Sequence, residues 1–81
     1  MSTDPAARVR DIVATMAPQP PGQLSDTHRL IEDLGYDSLR LMELTLVLER
    51  TFGLPRYRPE DLIGVLRVDQ VIELVARTVA A

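Results

Sequence analysis

The strongest constraint on what this chain can fold into is where its prolines fall. Proline lacks an N–H and fixes its own backbone, so it suits the first turn of a helix and stops a helix elsewhere. Pro5 follows Asp4, a residue able to cap a helix, and Pro18 halts what Asp4 starts. The cluster Pro20-Pro21-Gly22 cannot continue a helix. Gly53 and Pro55 close a second segment, and Pro59 with Glu60 and Asp61 suits the opening of a single helical turn, "RPEDLI". Between these stops the apolar residues recur at helical spacing. Val9, Ile12, Val13 and Met16 fall at i, i+3, i+4 and i+7, and "DSLRLMELTLVLERTFG" is the most strongly helical segment. Val68, Val71, Ile72, Val75 and Val79 share one side of a last helix. The pattern predicts an all-α fold: a small four-helix bundle, three main helices plus one short helix, with a long first loop.

Eighty-one residues imply a single domain, 1–81, near the lower size limit for a self-sufficient core. Since 46% of residues are apolar and none is cysteine, side-chain packing alone must hold that core. A net stability of about 3–5 kcal/mol is expected of such a scaffold. The lack of cysteine excludes disulfides, thiolate metal sites and a cysteine nucleophile. Charges in the first ten residues and the absence of a long apolar run argue against a signal peptide or a membrane span, so a cytoplasmic monomer is expected.

The first connection, "PQPPGQLSDTHRLIEDLGY", is unusually long for a small domain, which points to function or disorder. Leu24, Leu30, Ile31 and Leu34 can tack it to the core. Charge is uneven: Asp26 to Glu49 holds six acids and two arginines, whereas Arg50 to Arg67 holds four arginines and two acids. An acidic middle argues against nucleic-acid binding and suits partners with basic docking surfaces, although a solvated acidic loop would look the same.

The central segment has one apolar stripe too many. Leu41, Leu44, Leu48 and Phe52 make one, while Leu39, Met42 and Leu46 make another, roughly 145° away around the helix. Either both stripes are buried, or the long loop partly covers one, or the second is an exposed contact surface for a partner helix or an apolar cargo, flanked by Glu43 and Glu49.

Catalytic machinery is hard to assemble here. The only histidine, His28, lies on the loop and reads as exposed, and Ser38 follows Gly35-Tyr36-Asp37 rather than a G-x-S-x-G elbow. Glu32, Asp33 and Asp37 lack a second ligand cluster for a metal. Ser38 itself admits two readings. With Asp37 it can start a helix, or it can be a hydroxyl displayed at the positive helix end, a comfortable place for a phosphodiester.

The run "DLGYDSLRLMEL", following a long loop and an acidic stretch, resembles the acyl carrier protein family over nearly the whole chain. The family's motif corresponds here to Gly35, Tyr36, Asp37, Ser38, Leu39 and Glu43. The resemblance implies a carrier without catalytic activity, modified on Ser38 with 4′-phosphopantetheine that a phosphopantetheinyl transferase takes from coenzyme A. The terminal thiol of that arm then holds an acyl group as a thioester. Expected partners are an acyl-loading enzyme (an acyltransferase or adenylating ligase) and a ketosynthase or other acyl-processing enzymes. Asp37, Leu39, Arg40, Met42, Glu43, Leu46 and Glu49 match the partner-facing positions.

The aromatic in "GYDSL" and the arginine in "DSLRLMEL" are similar to polyketide-synthase carriers, which implies a polyketide or related specialised-metabolite pathway. An aminoacyl or peptidyl carrier of a nonribosomal system is the alternative, and an unmodified helical adaptor a further one. Arg40, Arg56 and Arg58 depart from the acidic character of fatty-acid carriers. Arg67 stands where the family has a capping threonine, so Asp69 or a loop contact is expected to cap the last helix.

Overall fold

A computed structural model describes residues 4–57 and 64–80. Helix α1 (Pro5–Met16) starts as its sequence predicts: Asp4 is the N-cap, accepting the Ala6 N–H at 3.1 Å, and Pro5 opens the first turn. Ala17, which precedes Pro18, is extended, the conformation that proline imposes on its predecessor. Helix α2 (Ser38–Phe52) is capped by Asp37 and ends at Gly53, whose φ of 64° is a left-handed conformation. Helix α3 (Val68–Ala80) completes the all-helical architecture of the described residues. The expected short helix at "RPEDLI", with Arg58, lies outside them.

The start of α3 is built by the first loop. Asp69 does not cap it; its carboxylate pairs with Arg67 at 3.0 Å. Instead the backbone carbonyls of His28 and Asp26 accept the N–H groups of Val68 (3.1 Å) and Asp69 (2.9 Å). Gln70 Oε1 reaches back to the N–H groups of Leu66 and Arg67 at 2.7 and 2.9 Å. A single antiparallel bridge, Arg29 with Arg67, holds the two segments side by side. These contacts satisfy amide donors that the helix itself leaves free.

Helix α1 packs against both α2 and α3. Their shared core takes Val9 and Val13 from α1, Leu44 and Leu48 from α2, and Val68, Val71 and Val75 from α3. The loop contributes Leu30, Leu34 and Tyr36, so it is a wall of the core rather than a tether across it. Leu30 and Leu34 sit four apart on a helical turn closed by Asp33 N–H to Arg29 carbonyl and Gly35 N–H to Ile31 carbonyl. That geometry turns Ile31 outward, 55% exposed, contrary to its expected anchoring role. Val79 likewise lies exposed in the last turn of α3, beyond the reach of the core.

Polar contacts fix the rest of the loop. Arg10 of α1 grips Asp26 with two hydrogen bonds of 2.8 and 2.9 Å, and this holds the Asp26 carboxyl below its usual range. His28 is half-buried rather than exposed, with Nδ1 accepting the Ser25 N–H at 3.0 Å. No described helix is long and apolar enough to cross a membrane.

Candidate functional site

The segment from Leu34 to Leu41 gives consecutive residues different jobs. Leu34 is buried, and its carbonyl accepts the Gln19 N–H at 2.9 Å. Gly35 then turns the chain with φ 78°, a conformation that L side chains rarely adopt. A Cβ there would also stand 2.9 Å from Gln19 Cγ. Tyr36 returns to the core, 1% exposed, and its hydroxyl donates to the Val13 carbonyl at 2.7 Å. Burial pushes its phenol up to about 12, with the nearby Arg40 charge acting weakly in the opposite direction.

Asp37 follows in extended backbone. Its Oδ1 accepts the Arg40 N–H at 2.8 Å and its carbonyl accepts the Leu41 N–H at 2.9 Å. Ser38 is the first residue of α2 and is exposed. Its hydroxyl has no hydrogen-bond partner among the described residues, and neither do the N–H groups of Ser38 and Leu39. An accessible hydroxyl beside two free amide donors at a positive helix end fits a phosphodiester. The capping role belongs to Asp37, and the Ser38 hydroxyl is left exposed.

The two stripes of α2 separate cleanly. Leu44 and Leu48 are buried with Leu41 and Phe52 packed beside them, whereas Leu39 is 68%, Met42 61% and Leu46 42% exposed. The loop does not cover the second stripe. Val47 is also exposed, but on the side of α2 that faces Ile12 and Met16 of α1.

The polar residues expected beside that stripe are engaged within the chain. Arg40 turns away from the solvent-facing stripe and donates from Nε to the Met16 carbonyl at 2.8 Å, while its Nη1 lies 3.6 Å from Glu43. Glu49 is half-buried and accepts the Tyr57 N–H at 2.7 Å; Tyr57 in turn donates to Thr78 of α3 at 3.0 Å. Sequence reasoning missed the Tyr36 anchor, although an apolar residue just before the cap with Leu41 at the fourth helical position is hydrophobic-staple spacing. Behind the buried stripe, an apolar cavity of about 50 Å³ lies between α2 and α3, lined by Leu44, Leu48, Val71 and Leu74 among others. No cluster of three or more metal-ligating side chains occurs among the described residues.

Fold and turn together define a class, that of small all-helical domains with an exposed serine at the start of the central helix, and the comparison with known families says what such a domain carries. The family described as "Phosphopantetheine attachment site" matches residues 7–75. The chain is 39% identical over 67 residues to an acyl carrier protein of Campylobacter hominis, covering 80% of this chain and 85% of that protein. It is 37% identical over 73 residues to an acyl carrier protein of Saccharopolyspora erythraea, covering 90% of this chain and 76% of that protein. A third, from Campylobacter curvus, is 35% identical over 71 residues, with coverage of 85% and 92%. The chain belongs to the acyl carrier protein family. Its members carry intermediates and do not catalyse, and their prosthetic group is covalently attached 4′-phosphopantetheine.

Proposed function

We propose that Ser38 is the attachment serine and that the chain carries acyl intermediates in a polyketide or related specialised-metabolite pathway. The observation that carries the first part is the position of Ser38: exposed at the start of α2, with its hydroxyl and the two amide donors beside it unpartnered among the described residues. In the transfer, Ser38 Oγ forms a bond to the pantetheine-bearing phosphorus of coenzyme A. The pyrophosphate P–O bond breaks, the adenosine bisphosphate half leaves, and the serine proton passes to a base of the transferase. The arm then supplies a thiol that holds the acyl group as a thioester.

Leu39, Met42 and Leu46 form the apolar face offered to the transferase, the acyl-loading enzyme and a ketosynthase or other acyl-processing enzymes, with Glu43 at its edge. Asp37 borders that face at the start of α2, whereas Arg40 and Glu49 are held within the chain by Met16 and Tyr57. The polyketide reading is supported by Tyr36 and Arg40, the two residues that carry the likeness to that branch. An aminoacyl or peptidyl carrier would use the same serine and fold. A cytoplasmic setting, where coenzyme A is at hand, goes with either.

The test is to incubate the chain with coenzyme A and a broad-specificity phosphopantetheinyl transferase and to weigh the product. Wild type is expected to gain the mass of one arm, and Ser38→Ala none. Modification that survives Ser38→Ala would remove the site. Loading of the modified chain by amino-acid adenylating enzymes alone would replace the polyketide reading with the peptidyl one.

A further inference from the structure

The last carbonyls of any helix lack partners within it, and the final turn of α1 has no basic residue of its own to compensate. Two side chains from beyond the loop fill that need. The Tyr36 hydroxyl donates to the Val13 carbonyl at 2.7 Å, and Arg40 Nε donates to the Met16 carbonyl at 2.8 Å. Arg40 also brings positive charge to the negative end of the α1 dipole. These two residues straddle Ser38, one two positions before it and the other two positions after.

We propose that Tyr36 and Arg40 are positioning residues, which dock the Ser38 turn onto the C-terminal end of α1 and so hold its backbone in one place for the transferase. The proposal rests on the reading of Ser38 as the attachment serine. Arg40 is half-buried, its Nε is committed to Met16, and Glu43 occupies another edge of its guanidinium at 3.6 Å. Tyr36 does the corresponding job at Val13 from a position only 1% exposed, where no docking enzyme can touch it. With both flanks pinned to a packed helix and Gly35 seated against Gln19, little orientational freedom is left for the transferase to remove. The surface arginine therefore acts from within the chain.

The experiment compares wild type, Arg40→Ala and Tyr36→Phe with a core control, Val75→Ala, each assayed at a temperature where it is fully folded. Two quantities are read: kcat/KM for phosphopantetheine transfer at low and at high salt, and backbone ¹⁵N order parameters of Ser38 and Leu39 in the unmodified chain. Arg40→Ala and Tyr36→Phe are each expected to lower kcat/KM by about fivefold, equally at both salt levels, with lowered order parameters at Ser38 and Leu39. Val75→Ala, though less stable, keeps the wild-type values of both. Wild-type rates and order parameters in the two turn variants would overturn the proposal. So would an Arg40→Ala defect that disappears at high salt, since that makes Arg40 a screened contact with the enzyme. If wild type takes up no arm, or Ser38→Ala still does, the attachment reading fails separately, and the order parameters alone decide whether the turn is clamped.

Discussion

Tyr36 and Val13 lie 23 positions apart in sequence, yet the phenolic hydroxyl of one donates to the backbone carbonyl of the other at 2.7 Å inside the core. That bond makes the aromatic of the "GYDSL" motif part of the end of α1. It also ties a turn exposed at Asp37 and Ser38 to the core, because the residue just before them is 1% exposed.

Removing only the hydroxyl leaves the Val13 carbonyl without its side-chain partner in a dry environment. Tyr36→Phe is expected to cost about 1–2 kcal/mol of stability, the range for a buried polar group that loses its hydrogen bond. Urea unfolding followed by circular dichroism measures it. A variant as stable as wild type would mean that water or a helical N–H replaces the hydroxyl.

The same tyrosine makes stability sensitive to alkali. Its folded pKa is raised to about 12 by burial, above an ordinary value of about 10, so the fold favours the protonated phenol. The contribution is fully present below about pH 10 and is lost as pH climbs toward about 12. Unfolding midpoints taken across that window should fall more steeply in wild type than in Tyr36→Phe. Parallel decline would assign the alkaline loss to other groups.

Local chemistry made the helices legible in the sequence, and distant contacts hid the rest. Asp4 with Pro5, Asp37 and Gly53 each act within a few residues, and all take the roles that their types predict. The opening of α3 depends on carbonyls at Asp26 and His28, some forty positions upstream, which no periodicity reveals. Ile31 faces solvent because the turn carrying Leu30 and Leu34 is helical in phase, and a single turn inside a long loop is too short for periodicity to reveal. At the site, the exposed hydroxyl and the two stripes of α2 were readable from spacing. The direction of Arg40 was not, because an arginine on the flank of a helix can reach either solvent or a neighbouring helix end, and only the packing of α1 decides.

Gly35 is expected to resist substitution for two separable reasons. Its φ of 78° is strained for any residue with a Cβ, at about 1–2 kcal/mol, and that Cβ would meet Gln19 Cγ at 2.9 Å. Gly35→Ala should therefore lose somewhat more than the backbone strain alone. Adding Gln19→Ala should recover most of the steric part, since only the 3.3 Å contact with the residue 19 Cβ remains, and leave the rest. Thermal melts of the single and double variants separate the two, and full recovery in the double variant would show that the backbone conformation carries no cost.

The two stripes of α2 predict opposite outcomes for substitutions of the same kind. Leu48, buried between the helices, should cost about 2–5 kcal/mol when cut to alanine, through lost burial and the void left behind. Met42, 61% exposed, should change stability by no more than about 0.5 kcal/mol, because little of it leaves water on folding. If Leu39, Met42 and Leu46 are the face offered to enzymes, Met42→Ala should nonetheless weaken transfer onto Ser38, and chiefly through KM, because the methionine leaves water only when the transferase covers it. The comparison needs chemical unfolding and transfer kinetics on the two variants. Normal kinetics in Met42→Ala and Leu39→Ala alike would assign the docking face to another part of the surface.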